Sequence, residues 1–145
     1  MKKLIIFDFD GVLADTLNAF YPLIKDGMKS IGLSISKKQY QNLFMGNIHR
    51  GFKDFIKDNK KLEQFLKFRK ANYDKYYYDK KQGAKLFPGV KKFIEKISKK
   101  YLLTIASSGR KENVESLLKR NNIADFFSLV LADSSISKVA MIAEI

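Results

Sequence analysis

Apolar residues change their spacing repeatedly along the chain, and each change marks an element. Lys3 to Phe9 is a short, almost continuous apolar run that ends in acids. A strand buried on both faces of a parallel sheet reads this way. Gly11 breaks the run. From Leu17 the period becomes helical: Leu17, Phe20, Tyr21, Ile24, Met28 and Ile31 share one face, and Gly32 ends the helix. Ser36 is placed to cap a short helix carrying Tyr40, Leu43 and Phe44. Met45 to Gly51 reads as a loop, Phe52, Phe55 and Ile56 as one or two helical turns, and Leu62, Phe65, Leu66, Tyr73 and Tyr76 as a long helix. Of the tyrosines at 73, 76, 77 and 78, most are expected in the core of this helical block with one ring exposed. Gly83 closes the block.

Pro88-Gly89 opens a new helix whose Val90, Phe93, Ile94 and Ile97 are expected to face inward. Tyr101 to Ala106 is a second buried strand and Ser107-Ser108-Gly109 its turn. Val114, Leu117 and Leu118 form the next helical face, and Phe126 to Leu131 a third strand. Ser137 could cap a last helix with Val139, Ile142 and Ala143. A strand, a long helical insert, then alternating helices and strands is the grammar of an α/β fold with a parallel sheet. The predicted architecture is a Rossmann-like sheet domain, 1–15 with 84–145, into which an α-helical domain, 16–83, is inserted.

Charge and composition narrow the function classes. The 145 residues carry 28 lysines and arginines against 15 acids, a net charge of +13. Such a balance can attract nucleic acid or anionic metabolites. Here the lysines are scattered along helices as a solvated face, which argues against a nucleic-acid partner. Cysteine is absent, which excludes a disulfide framework and a cysteine-based metal site and fits a cytoplasmic protein. No apolar run approaches the roughly 20 residues that span a bilayer, so no membrane association is expected. Asp8 and Asp10 interrupt the N-terminal run too early for a signal peptide.

The candidate chemistry starts at Phe7-Asp8-Phe9-Asp10-Gly11. Residues two apart on a strand point the same way, so Asp8 and Asp10 lie side by side at the carboxyl edge of the sheet, where open α/β sheets bind ligands. Two clustered carboxylates attract a hard cation such as Mg²⁺. One could attack phosphorus and the other exchange a proton. A plain metal-binding pair, or the D-x-D of a sugar-nucleotide transferase, would look the same on these residues alone. At the end of the second strand, Ser107 followed by a helix start is a sound phosphate site, because hydroxyl, free N–H groups and helix dipole all favour an anion. Ser-Ser-Gly is also an ordinary turn.

The full string Phe7-Asp8-Phe9-Asp10-Gly11-Val12-Leu13-Ala14-Asp15-Thr16 resembles the first motif of the haloacid dehalogenase superfamily of phosphatases and mutases, in the branch with an α-helical cap (phosphoglycolate phosphatase and β-phosphoglucomutase-like). The resemblance implies Asp8 as the nucleophile that becomes an aspartyl phosphate. It implies Asp10 as general acid/base, with its backbone carbonyl joining Asp8 as a Mg²⁺ ligand. The presence of Asp10 argues against a dehalogenase. Leu103 to Gly109 resembles the second motif, which assigns phosphate binding to Ser107, with Ser108 and Gly109 lining the loop. Lys138 matches the lysine that balances nucleophile and phosphate, although Val139 stands where a proline often follows. The insert then corresponds to the cap, and its loop from Gly46 to Gly51, with His49 and Arg50, to a substrate-contacting loop; Arg50 could hold a second anionic group.

The implied activity is Mg²⁺-dependent hydrolysis of a small phosphorylated metabolite. A sugar phosphomutase would use the same acids. The superfamily's fourth, acidic motif has no counterpart after Lys138, and the sequence stops at Ile145 inside a helical pattern. The expectation is therefore a fragment of a longer protein or a truncated gene product. Its first strand would form an apolar edge open to self-association. A remnant without activity, binding phosphorylated ligands or a partner through that edge, is the third reading.

Overall fold

The three apolar runs form three parallel strands. In chain order the elements are β1 (Lys3–Phe7), α1 (Thr16–Ser30), α2 (Lys37–Phe44), α3 (Ile48–Ile56), α4 (Asn59–Tyr77), α5 (Val90–Ile97), β2 (Tyr101–Ser107), α6 (Lys111–Arg120), β3 (Phe127–Ala132) and α7 (Lys138–Ala143). The computed structural model describes residues 2–44, 48–133 and 135–145. The chain divides into two compact units: Met1–Asp15 with Lys85–Ile145, and Thr16–Ala84.

The first unit is built on the sheet, ordered β1-β2-β3. β1 pairs with β2 from Lys3↔Tyr101 to Phe7↔Ile105. β2 pairs with β3 from Leu103↔Phe127 to Ser107↔Ala132, with an irregularity after Leu103 that leaves Ser128 out of the ladder. The Ser128 hydroxyl donates to the Leu103 carbonyl at 3.0 Å, so the bulge costs no unsatisfied acceptor. β2 lies between the other two and is buried over Leu103–Ser107, whereas no residue of β1 is fully buried. Phe9, Ile94, Leu103, Ile105, Leu117, Leu118 and Ile123 make the core. The ring of Phe7 meets Phe93 and Phe127 edge-on, at 6.3 and 6.4 Å between centroids.

The second unit is all helical. Ser36 and Gln39 form a reciprocal cap at the start of α2: the Gln39 N–H donates to Ser36 Oγ at 3.2 Å and the Ser36 N–H to Gln39 Oε1 at 2.8 Å. Asp58 caps α4 through the Lys61 N–H at 2.9 Å. Leu23, Ile24 and Met28 of α1 are buried with Tyr40, Phe52, Phe65 and Tyr77. Aromatic pairs run through this core, Phe20 with Tyr73 at 4.6 Å and Phe52 with Phe65 at 4.8 Å. Each such pair adds about 0.5–1.5 kcal/mol beyond area burial. Tyr77 is buried and Tyr78 exposed.

Three expectations are corrected. Residues 48–51 belong to α3 rather than to a loop; Met45 to Asn47 lie outside the described residues. Phe93 is 49% exposed, with one ring edge against Phe7, instead of facing inward. In α7 the buried residue is Met141, while Val139 is 80% and Ile142 49% exposed. The cause is Lys138, whose side chain turns to Asp8. The residue three further on shares its face and is buried, and Val139 and Ile142 are rotated away.

Two predictions concern the helical unit. A Cβ on Gly83 would meet the carbonyl oxygens of Asp79 and Tyr77 and the Asp79 nitrogen, all backbone atoms that cannot swing aside. Gly83→Ala should therefore cost about 2 kcal/mol or more in urea unfolding, and an unchanged midpoint would show that the turn can open. Separately, the Tyr76 hydroxyl donates to Asp26 Oδ2 at 2.5 Å, tying α4 to α1. That hydrogen bond, then burial, then the Asp26 charge push the phenol up to about 12 from 10.0. A pKa raised on folding stabilises fully below the unfolded value, and the contribution is lost as pH rises from there through the folded value. The stability advantage of the wild type over Tyr76→Phe should thus be complete near pH 9 and fade by about pH 12. A gap that stays constant across that range would exclude the linkage.

Candidate active site

The carboxyl ends of β1 and β2 lie level because the strands are parallel and in register through Phe7↔Ile105. The strand stops at Phe7 rather than at Phe9, a correction to the expectation that Asp8 and Asp10 sit side by side on it, and the chain then turns sharply. The Phe9 carbonyl accepts from Leu13 N and Ala14 N, each at 3.0 Å, and the Gly11 N–H donates back to the Ala14 carbonyl at 2.8 Å. Gly11 sits at φ 76°, a conformation that side chains resist, so glycine is required there. The turn is fixed from outside by Phe87 N on the Leu13 carbonyl at 3.0 Å and by Asp15 N on the Lys85 carbonyl at 2.8 Å.

This turn presents both acids. Asp8 Oδ1 accepts from the Phe9 N–H at 2.8 Å, and Oδ2 lies 2.6 Å from Lys138 Nζ. Asp10 Oδ2 accepts from the Ser107 hydroxyl at 3.3 Å. The Ser107 hydroxyl in turn accepts the Gly109 N–H at 2.9 Å, and Ser107 itself is fully buried. A Cβ on Gly109 would stand 3.1 Å from both Asp10 Oδ2 and Ser107 Oγ, so this loop is tight. α6 begins two residues later; Arg110 occupies its N-cap and makes no side-chain cap bond. The positive end of that helix opens beside Gly109.

The structure thus brings Asp8, Asp10, Ser107, Gly109 and Lys138 into one cluster, with Ser108 exposed on the same loop. Arg50 belongs to the other unit, where it is exposed in α3 with Nε 3.7 Å from Asp54 Oδ2. His49 is part of α3 as well, and its side chain lies outside the described residues. Among the described residues, no group of three or more His, Cys, Asp or Glu gathers to hold a metal. The available donors are oxygens from two acids, which suits a hard cation completed by water and phosphate.

One contributor escaped the sequence reading. The Asp133 N–H donates to the Ser107 carbonyl at 3.1 Å, and Asp133 Oδ1 accepts from Ser135 N at 2.7 Å and Ser135 Oγ at 2.6 Å. The Ser135 hydroxyl, and then its backbone N–H, hold this carboxyl below the usual range. Asp133 thereby fixes the start of the connection that ends at Ser137, whose hydroxyl caps α7 through the Ala140 N–H at 3.2 Å. The signal was present as Asp-x-Ser after an apolar strand, a turn-forming pattern.

Comparison with known proteins places the chain in a family. A family model described as haloacid dehalogenase-like hydrolase matches residues 5–142. A phosphoglycolate phosphatase of Aliivibrio fischeri is 25% identical, over 94% of this chain and 63% of its own length. The chain therefore spans under two thirds of the curated relative it matches. Among solved structures, a haloacid dehalogenase-like family protein of Streptococcus pneumoniae superposes with a TM-score of 0.82 at 21% identity, covering 98% of this chain and 68% of the other. Protein Tyrosine Kinase A of Mycobacterium tuberculosis superposes at 0.78 with 18% identity, covering 99% and 67%. At such identities the structures establish the fold alone. With the family model matched over nearly the whole sequence, the chain belongs to the haloacid dehalogenase-like hydrolases.

Proposed function

We propose that this chain carries the phosphoryl-transfer centre of a phosphatase acting on a small phosphate monoester, with Asp8 as nucleophile. The observation that carries the reading is the 2.6 Å contact between Lys138 Nζ and Asp8 Oδ2, beside the bonded series Asp10–Ser107–Gly109. A lysine on the carboxylate holds it in place and offsets the charge of an incoming phosphate. The Ser107 hydroxyl and the N–H groups opening α6 are donors for phosphate oxygens.

The steps balance on the residues present. An Asp8 oxygen forms a bond to phosphorus while the bond to the substrate's ester oxygen breaks, and Asp10 gives that oxygen a proton. A water then attacks the aspartyl phosphate, Asp10 takes its proton, and Asp8 is released with inorganic phosphate. The Asp8 carboxylate and the Asp10 backbone carbonyl are the groups to hold Mg²⁺, which when bound withdraws charge from the phosphoryl oxygens. In the helical unit the exposed Arg50 guanidinium, now beside Asp54, is a group able to take an anion in that carboxylate's place. Among the described residues no helix is long and apolar enough to cross a membrane.

The test is phosphate release from p-nitrophenyl phosphate. Release should require Mg²⁺ and stop with EDTA, and Asp8→Asn should lower kcat by about 10³ or more, since a nucleophile cannot be substituted by its neighbours. Acid-quenched wild-type protein should carry the phosphoryl group on Asp8 by mass spectrometry. Undiminished release by Asp8→Asn would overturn the assignment.

A further inference from the structure

We propose that the Asp133 side chain is a positioning residue for Lys138: by holding Ser135 it sets the course of the connection that delivers the lysine to Asp8. This role rests on the reading of Asp8 as nucleophile, and Asp133 acts through Lys138 rather than on the substrate.

Lys138 is the first residue of α7, so the direction in which its side chain leaves is set by the segment before it. That segment starts from a fixed point. Ser107 pairs with Ala132 at the end of β3, and the Asp133 N–H donates to the Ser107 carbonyl at 3.1 Å. The segment finishes at Ser137, which is extended at ψ 147° and whose hydroxyl accepts the Ala140 N–H at 3.2 Å. Between these points Asp133 Oδ1 accepts both the Ser135 N–H at 2.7 Å and the Ser135 hydroxyl at 2.6 Å. Two donors on one oxygen orient the carboxylate and the serine together, and such a side-chain bond to the backbone two residues on defines a turn. The Ser135 hydroxyl, then its N–H, hold the carboxyl below its usual range, so the ionised group makes both bonds at neutral pH. Among the described residues no lysine or arginine pairs with Asp133, so Ser135 is what its charge is directed to.

The contact that depends on this turn is short. Lys138 Nζ lies 2.6 Å from Asp8 Oδ2. Misplacing a group by about 1 Å can cost on the order of 10²-fold in rate, even when the change is made far from the chemistry. A flexible lysine stem recovers part of such a shift. The expected loss is therefore smaller than that limit.

A double-mutant cycle in the full chain tests the role, read by phosphate release from p-nitrophenyl phosphate with Mg²⁺. Asp133→Ala removes the acceptor and leaves the backbone N–H on Ser107; it should lower kcat by about tenfold. Asp133→Asn keeps Oδ1 as an acceptor for both Ser135 donors and should hold kcat within about twofold of the wild type. In a Lys138→Met background Asp133→Ala should cost nothing further, because the two residues serve one contact. A general loosening of the fold would cost the same in both backgrounds.

A second readout needs no turnover: the rate at which acetic anhydride acetylates Lys138, with the exposed Lys99 as internal reference. Contact with Asp8 restrains the Lys138 amine, and Asp8→Ala gives the rate of a released one. Asp133→Ala should move the rate towards that limit, and Asp133→Asn should leave it unchanged. A wild type that releases no phosphate would count against the reading of the chain as a phosphatase, while the acetylation rates still decide the role of Asp133. Equal Lys138 acetylation in the wild type and Asp133→Ala, an Asp133→Asn chain as impaired as Asp133→Ala, or an undiminished loss in the Lys138→Met background would each overturn it.

Discussion

The register between β1 and β2 is the constraint on which the rest of the site depends. Because Phe7 lies opposite Ile105, Asp8 leaves the sheet beside the strand that ends at Ser107, and the next turn brings Asp10 back within reach of the Ser107 hydroxyl. A slip of one residue would turn every side chain of β1 to the opposite face. The position of Lys138 follows from the same origin by a longer route. Ser107 is paired with Ala132, its carbonyl accepts from Asp133, Asp133 binds Ser135, and Ser137 caps the helix that begins at Lys138. A lysine thirty-one residues downstream is therefore tied to Ser107 by consecutive short-range bonds.

Stability comes from elsewhere. Lys138 and Asp8 are each more than a third exposed, and an ion pair so placed contributes about 0–1 kcal/mol. Large side chains that are fully buried, such as Phe9, Ile105 and Leu117, contribute roughly 1.5–3 kcal/mol each. The acids and the lysine are carried on a scaffold that would stand without them. The helical unit is separate in composition as well as in packing, with an aromatic core and most of the excess lysine.

Much of this was legible in the sequence because it depends on local periods. The three strands, the helix of Val114, Leu117 and Leu118, and the caps at Ser36 and Ser137 follow from spacing alone, whereas Asp8 and Asp10 lie past the end of their strand and are placed by a turn that strand parity does not describe. What was not legible depends on neighbours far along the chain. An apolar residue at helical spacing reads as inward, yet Phe93 meets only the edge of Phe7, and Val139 turns out because Lys138 turns in. Gly51 read as a loop residue because glycine disfavours helices, but tertiary packing of Phe52 and Ile56 overrides that weak preference. The part played by Asp133 rests largely on a backbone N–H, which sequence does not display.

Gly11 and Gly109 show how different demands produce the same residue within one site. Gly11 is required by conformation, since φ 76° carries the chain back to Ala14. Gly109 is required by volume. A methyl group there would crowd Asp10 Oδ2 and Ser107 Oγ at 3.1 Å each, and one of the two would have to retreat. The 3.3 Å contact between them already lies at the long end of a hydroxyl bond, so a retreat of a few tenths of an ångström would break it. The hydroxyl would then keep only the Gly109 N–H, and Asp10 would lose the contact that joins the first strand's turn to the second strand's loop. The spacing of the acid and the serine is thus set as much by the absence of a side chain at Gly109 as by the side chains that meet.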